Sequence, residues 1–197
     1  MLVLASASPR RQELLRNAGI AFVVHPTDIP EIPHPGEAPR AFAERMAKEK
    51  AMAVLYQRPQ DTILGADTVV VVDEQILGKP GDQDDAARML RLLSGRSHIV
   101  ITGVCLAGSL QLETGNEKLE TCFQDVRSET TLVTMDTLSE EDICSYIATD
   151  EPMDKAGAYA IQGIASRWIS RIEGDYFNVV GLPVALVWRM LREYGRV

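Results

Sequence analysis

A carboxylate, Asp67, interrupts an otherwise apolar stretch of the chain. Residues 62–72 are mostly β-branched or apolar, which is typical of a buried strand. An ionised carboxylate in such a strand is costly unless it is paired or reaches water, and a structural aspartate more often lies at a turn, as Asp73 does. Gly65 and Ala66 leave space beside Asp67. We therefore interpret Asp67 as a functional residue that activates water or holds a divalent cation.

Two arginines, Arg10 and Arg11, stand in the first turn of a predicted helix, where cations oppose the helix dipole. Ser8 and Pro9 before them are typical of an N-cap and a first helical position. Backbone N–H groups at such a helix start favour an anion, and an arginine fork can bond two phosphate oxygens at once. The pattern is that of a phosphate site, although two solvated arginines on a surface helix would fit it equally well.

Three further charged residues extend this set of candidates. Glu31 lies in a loop with five prolines, Lys50 in a predicted helix over 40–56, and Lys79 on a tight loop that follows a hairpin after Asp67. Each by itself is more often a solvated surface residue. Together with the arginines they suit cleavage of a phosphate ester or anhydride, because cations would neutralise the phosphates while a carboxylate activates water or holds Mg²⁺.

Other chemistries find little support in the residues. His25, His34 and His98 lie in unrelated contexts, which argues against catalysis by a serine or cysteine nucleophile with a histidine base. The GxxxxGK[ST] motif of P-loop proteins is missing from the sequence. The three cysteines are widely spaced and form no CxxC pair, which argues against a zinc site and indicates reduced thiols in a cytoplasmic protein.

Length and charge narrow the class of protein further. The 197 residues are enough for one domain with its own core. A net charge of −8 argues against a general nucleic-acid binder, whose surface is usually basic. No apolar run reaches the ~18 residues of a membrane span, and no basic segment precedes an apolar run at the start. We therefore expect no membrane association and no signal peptide.

Hydrophobic periodicity and turn residues predict the elements that carry these side chains. After the opening apolar run, the predicted helices cover 9–18, 40–56, 83–93, a short stretch from Ser139, and 184–194. The predicted strands cover 21–25, 62–72, 97–107, 119–127 and 130–135, with a polar loop at 108–118 and a late hairpin that pairs 168–172 with 176–180.

The sequence resembles, nearly end to end, the Maf family of nucleoside triphosphate pyrophosphatases, once named septum-formation inhibitors. The motifs that carry the resemblance are Ser6-Ala7-Ser8-Pro9-Arg10-Arg11, Glu49-Lys50-Ala51, Gly65-Ala66-Asp67-Thr68, Gly78-Lys79-Pro80, Asp154-Lys155-Ala156-Gly157-Ala158-Tyr159 and Val180-Gly181-Leu182-Pro183. The resemblance implies an α/β fold like that of the inosine triphosphate pyrophosphatases, as a single domain over 1–197. That fold has a long mixed β-sheet, flanking helices and a deep cleft between two lobes.

The resemblance also implies a reaction and its residues. A nucleoside triphosphate is split between its α and β phosphates, giving the monophosphate and pyrophosphate, with a divalent metal cation (Mg²⁺ or Mn²⁺) as cofactor. Asp67 matches the general base, and Glu31 and Asp67 are the candidate metal ligands. The residues expected to contact the substrate are Ser6, Arg10, Arg11, Lys50, Thr68, Lys79 and Gln162.

Arg10, Thr68 and Gln162 match the branch of the family that cleaves dTTP and UTP. The branch that cleaves 7-methyl-GTP has tryptophan in the proline-arginine motif, glutamine after the aspartate and glutamate in the later loop. A glutamine amide can pair with both O4 and N3–H of uracil or thymine, because it offers a donor and an acceptor. We expect a dTTP/UTP pyrophosphatase, with a 7-methyl-GTP pyrophosphatase or a nucleotide-binding regulator of cell division as alternatives. The resemblance further implies a homodimer.

Overall fold

A computed structural model of the chain describes residues 1–114 and 117–196. The strands of this described part are β1 (Leu2–Leu4), β2 (Val23–Val24), β3 (Thr62–Val72), β4 (Gln75–Leu77), β5 (Ser97–Thr114), β6 (Glu117–Met135) and β7 (Ile169–Glu173). Its α-helices are α1 (Pro9–Asn17), α2 (Pro39–Leu55), α3 (Gln83–Leu93), α4 (Glu140–Ile147), α5 (Tyr176–Val180) and α6 (Val184–Glu193). Short 3₁₀ helices cover Glu151–Asp154, Ala156–Ala158 and Ile164–Trp168.

The strands form one mixed sheet in the order β2-β1-β3-β5-β6-β7, with β4 paired to β3. β1 pairs in parallel with both β2 and β3, whereas β3 with β4 and β6 with β7 are antiparallel. The mixed sheet with flanking helices that the family resemblance implies is therefore confirmed. Within the described ranges, no helix is both long and apolar enough to cross a lipid bilayer.

Contacts divide the chain into two compact units. Unit 1 comprises Met1–Asp67, Thr102–Glu129 and Gly181–Val197, and unit 2 comprises Thr68–Ile101 and Thr130–Val180. In unit 1, small and β-branched residues of β1, β3 and β5 pack on α2, and the packing is close. The buried members of this cluster are Val3, Ala5, Ala47, Ala51, Val54, Ile63, Cys105 and Ala107.

Glycines make the close contact between α2 and the sheet possible. A Cβ at Gly65 of β3 would lie 2.1 Å from the carbonyl oxygen of Ala47, and one at Gly103 of β5 would lie 2.3 Å from that of Ala43. Both contacts are with helix backbone, which cannot move aside as a flexible side chain can. The two positions therefore set the distance between α2 and the strands beside it.

Most elements match their predicted bounds, and three predictions are wrong. The predicted loop at 108–118 is wrong over its described residues, because β5 continues to Thr114 and β6 begins at Glu117; positions 115 and 116 lie outside the described residues. Polar and apolar residues alternate from Ser109 to Glu113, and this period of two is typical of a strand. β6 also runs unbroken through what was predicted as two strands.

The late hairpin is also wrong in its second half, because 176–180 forms helix α5. The Asp175 carboxylate accepts a hydrogen bond from the backbone N–H of Phe177 at 2.7 Å, as a residue at a helix start does. Asn178 is buried and donates to the Val100 carbonyl and to Thr131 Oγ1, both at 3.0 Å. These side-chain bonds favour the helical turn over a strand of the same apolar residues.

We expect Gly65→Ala to lower the free energy of unfolding by about 2 kcal/mol, because the added methyl group overlaps the backbone of α2 and forces the helix away from β3. Urea unfolding of the purified variant measures this. Gly81→Ala is the matched control, since a Cβ there has nothing within 4 Å and its unfolding free energy should stay within about 0.5 kcal/mol of wild type. Equal stability of the two variants would contradict the close approach of α2.

Candidate active site

Asp67 lies in the middle of β3, is only 5% exposed, and is paired with a lysine. Its Oδ1 accepts a hydrogen bond from Lys50 Nζ at 2.6 Å, and the same ammonium group donates to Glu31 Oε1 at 2.6 Å. One cation thus joins two carboxylates from a strand and a loop. We call Glu31, Lys50 and Asp67 the carboxylate–lysine cluster.

Lys50 reaches this position because it belongs to the buried face of α2. It is 7% exposed and shares that face with Ala47, Ala51 and Val54, whereas Lys48 on the same helix is exposed. The aliphatic stem of a lysine packs well among apolar side chains while its ammonium group meets a charged partner. The close packing of α2 on β3 then brings that ammonium group to Asp67.

The start of α1 places Arg11 in the same unit. The Ser8 side chain caps the helix and accepts from the Arg11 backbone N–H at 3.5 Å, as its sequence position predicts. The Arg11 guanidinium donates from Nη1 to Ser6 Oγ at 3.1 Å and from Nε to the Gly181 carbonyl at 2.8 Å. These bonds hold the guanidinium beside the small-residue loop that precedes the helix, and Arg10 next to it is half-buried.

The charges of this unit act on one another. Burial raises the pKa of Asp67 above its ordinary value, against the charge and hydrogen bond of Lys50 and the charge of Arg11, while the charge of Glu31 raises it further. Burial lowers the pKa of Arg11, and the charges of Asp67 and Glu31 oppose that shift. Asp67 is therefore a stronger proton acceptor than a solvated aspartate, even with two cations close enough to affect it.

The two acids of the carboxylate–lysine cluster lie close to each other. Glu31 Oε1 and Asp67 Oδ1 both lie 2.6 Å from Lys50 Nζ, so they are separated by no more than twice that distance. Among the described residues, no group of three or more histidine, cysteine or acidic side chains could hold a metal ion. Two carboxylates are nevertheless a common set for Mg²⁺, which takes its remaining ligands from substrate phosphates and water.

The other predicted site residues belong to unit 2. Thr68 is half-buried on β3, while Lys79 after β4 and Gln162 in the late loop are both exposed. The loops that carry Lys79 and Gln162 are joined, because the Gly157 N–H donates to the Gly78 carbonyl at 3.0 Å. Their contacts with a substrate stay predictions.

The loop that carries Gln162 is held by an acid that the sequence did not single out. Glu151 Oε1 accepts from the Tyr146 hydroxyl at 2.9 Å and from the Ile164 N–H at 3.0 Å, and the Tyr146 oxygen in turn accepts from the Ala160 N–H at 3.1 Å. A Cβ at Gly163 would lie 2.3 Å from the Glu151 carboxylate, so a side chain there would displace that carboxylate. The sequence indicates this contact only through Gly163, because a glycine often marks a close approach of another group to the backbone.

A second anchor of this loop joins His98 and Tyr159. His98 Nε2 and the Tyr159 hydroxyl are 2.7 Å apart, and both side chains are buried. Burial lowers the pKa of His98 to about 4, so the ring is neutral at physiological pH. His98 is therefore a neutral packing residue in this structure.

Fold and site together define an α/β protein with a buried carboxylate beside cationic groups suited to a polyphosphate. The family model described as Maf-like protein matches residues 1–194, and the chain belongs to this family. The resemblance drawn from the sequence motifs is thereby confirmed.

Several relatives bear the name dTTP/UTP pyrophosphatase. That of Koribacter versatilis is 54% identical over 98% of this chain and 94% of its own length. Those of Syntrophomonas wolfei and Symbiobacterium thermophilum are each 50% identical over 98% of this chain, covering 96% and 94% of their own lengths. A dITP/XTP pyrophosphatase structure from Mycobacterium abscessus is 15% identical with a TM-score of 0.34, covering 65% of this chain and 72% of that one, a likeness too distant to define a fold.

We expect Lys50→Met to lower the free energy of unfolding by about 3 kcal/mol near pH 8, because it leaves the buried Asp67 carboxylate without its ammonium partner. The loss should be smaller near pH 5. Without Lys50 the pKa of Asp67 rises further above its unfolded value, so the carboxyl takes up a proton as the pH falls and the buried charge disappears. Urea unfolding at the two pH values measures both effects.

Two variants control this experiment. Lys48→Met removes an exposed lysine from the same helix and should change stability by no more than about 0.5 kcal/mol. Lys50→Met combined with Asp67→Asn removes both charges and should recover most of the loss. A double variant that is as unstable as Lys50→Met alone would contradict the assignment of the cost to the unpaired carboxylate.

Proposed function

We propose that this protein is a nucleoside triphosphate pyrophosphatase that hydrolyses dTTP and UTP to the monophosphate and pyrophosphate. The observation that carries the proposal is the buried Asp67 carboxylate held 2.6 Å from Lys50 Nζ. Three supports accompany it: membership of the Maf family, the names of the relatives, and the residues at positions 10, 68 and 162.

In the proposed reaction, Asp67 accepts a proton from a water molecule as the water oxygen attacks the α-phosphorus. A new oxygen–phosphorus bond forms, and the bond between the α-phosphorus and the oxygen bridging to the β-phosphorus breaks. Pyrophosphate leaves with that oxygen, and the monophosphate remains. The raised pKa of Asp67 favours this role, because a base works best when its pKa lies near the working pH.

Arg11 and Lys50 have the charge that a polyphosphate needs. An ammonium group has three N–H donors, and Lys50 uses two of them on Glu31 and Asp67, so one can meet a phosphate oxygen. The Arg11 fork is fixed in orientation by Ser6 and Gly181, and such a fork binds phosphate oxygens in pairs. Both cations would stabilise the negative charge that builds on the phosphates in the transition state.

The proposal includes a divalent cation, Mg²⁺ or Mn²⁺, held by Glu31 and Asp67. Such an ion, when bound, neutralises phosphate charge and lowers the pKa of a coordinated water. The structural support is that Glu31 and Asp67 each place one oxygen 2.6 Å from the same Lys50 nitrogen, so the two acids lie close together.

Selection of the base is assigned in this proposal to Arg10, Thr68 and Gln162. The Gln162 side chain is exposed, while its loop is anchored through Glu151 and Tyr159. An amide on a fixed loop can read the O4 and N3–H edge of a pyrimidine with little loss of conformational entropy. Lys79 is assigned to the phosphates, and the homodimer and the cytoplasmic location stay predictions.

We expect the protein, with Mg²⁺ or Mn²⁺, to convert UTP and dTTP into monophosphate and pyrophosphate, and to act far more slowly on 7-methyl-GTP. Separating the products by ion-exchange chromatography and measuring pyrophosphate directly checks the bond that is cleaved. Orthophosphate as the first product would contradict cleavage between the α and β phosphates. A faster reaction on 7-methyl-GTP would contradict the choice of base.

Asp67→Asn isolates the role of the base in this assay. It should lower kcat by roughly 10²–10⁴-fold, because the amide cannot accept the proton. Its fold should persist, since the amide keeps the shape of the carboxylate and Lys50 keeps its bond to Glu31. Lys48→Met serves as the active control, and an Asp67→Asn protein with wild-type turnover would contradict the proposed mechanism.

A further inference from the structure

Glu31 lies on a long loop that has little regular structure to hold it. Residues 25–38, all of which the structure describes, form neither a helix nor a strand. Ordering such a segment costs conformational entropy at every residue, and long irregular loops inside a compact unit are commonly functional. The Glu31 carboxylate lies 2.6 Å from Lys50 Nζ, and further contacts on its C-terminal side also hold the loop.

One arginine of α2 provides those contacts. Arg45 Nε and Nη2 donate to the two carboxylate oxygens of Glu37, each at 2.7 Å, and Nη2 also donates to the Ile32 carbonyl at 3.0 Å. The Arg45 guanidinium therefore joins α2 to both ends of the segment 32–37. Glu37 closes the segment on itself, because its Oε2 also accepts from the His34 N–H at 2.9 Å.

The Arg45 side chain is itself fixed on the helix. Its Nη1 donates to Glu49 Oε1 at 3.0 Å, and its guanidinium lies 5.4 Å from the centre of the Phe42 ring. The side chains of Arg45 and Glu37 are only 22% and 11% exposed, so solvent screens their bidentate pair less than an open surface pair. The Arg45 hydrogen bonds lower the pKa of Glu37 to about 2, which keeps the pair ionised throughout the physiological range.

We propose that Arg45 and Glu37 are positioning residues that hold the Glu31 carboxylate against Lys50. The Ile32 carbonyl bound by Arg45 belongs to the residue directly after Glu31, and Arg45 and Lys50 lie on the same helix. Fixing the loop to α2 at Ile32 therefore fixes the distance from Glu31 to the ammonium group. The kinetic part of this inference rests on the proposed hydrolysis, whereas the structural part does not.

A positioning residue affects turnover through the Glu31 carboxylate, whereas a residue that only stabilises the fold acts independently of Glu31. If Arg45 acts through Glu31, its removal has no further effect once the Glu31 carboxylate is gone. If Arg45 only stabilises the fold, its removal costs the same with or without Glu31. A double-mutant cycle separates the two cases.

We expect Arg45→Ala to lower kcat at least tenfold with a smaller change in KM, because a displaced carboxylate weakens the reaction step more than ground-state binding. Glu31→Ala should lower kcat as well. The double variant should be no slower than Glu31→Ala alone. If the double variant lost kcat by the product of the two single-variant factors, the positioning role would be overturned.

Arg91→Ala is the matched control. Arg91 donates from Nε and Nη2 to the two oxygens of Glu140 at 2.9 and 2.7 Å, so it forms a bidentate pair in unit 2, with side chains that are 52% and 67% exposed. We expect its kcat to stay at the wild-type value. A tenfold loss in Arg91→Ala would show that removing any such pair lowers turnover, and would overturn the specific role of Arg45.

Hydrogen–deuterium exchange, read by mass spectrometry, tests the structural part without any substrate. Peptides over 28–38 should exchange faster in Arg45→Ala than in wild type, and at the wild-type rate in Arg91→Ala. An unchanged rate in Arg45→Ala would overturn the inference whatever the activity. If the wild-type protein cleaved no nucleotide, the proposed function would be contradicted. The exchange result would still decide whether Arg45 holds the loop.

Discussion

The ammonium group of Lys50 makes the rest of the site possible, because it pairs with the buried Asp67 carboxylate and with the more exposed Glu31 carboxylate at the same time. An unpaired ion at Asp67 would cost several kcal/mol, and the lysine offsets much of that cost at a distance of 2.6 Å. The compensation is incomplete, since burial still raises the pKa of Asp67. A carboxylate in that intermediate state can be ionised and yet accept a proton, which is what a base for water activation requires.

Helix α2 carries both the charge and the support of this arrangement. Its buried face supplies Lys50, and one turn and a half earlier Arg45 binds the loop that carries Glu31. The helix can serve both purposes because Gly65 and Gly103 let it lie directly on β3 and β5. The close packing of α2, the Lys50–Asp67 ion pair and the contact of Arg45 with the Glu31 loop therefore all depend on the distance between α2 and β3.

The sequence predicts the strand of Asp67 and the helix of Lys50 well, because their apolar patterns are long and regular. It also singles out Asp67 as a candidate functional residue, since an ionised carboxylate inside a buried strand is costly unless it is paired or reaches water. It does not predict that Lys50 bonds both Glu31 and Asp67, nor that Arg45 holds the loop. Those contacts depend on the three-dimensional packing of the chain. The sequence around Arg45 or Glu31 has no pattern that indicates the bonding partner. The helix at 176–180 was missed because a short apolar run fits a strand as well as a helix.

The pKa of Asp67 in the substrate-free protein tests the central claim most directly. A ¹³C NMR titration of the aspartate carboxyl groups, with Asp67 assigned by comparison with Asp67→Asn, gives this value. We expect the pKa of Asp67 to lie above the ordinary 3.8 and to decrease in Glu31→Gln, because the charge of Glu31 raises it. A value at or below 3.8 would contradict the account, since the carboxylate would then be too weak a base to take a proton from the attacking water.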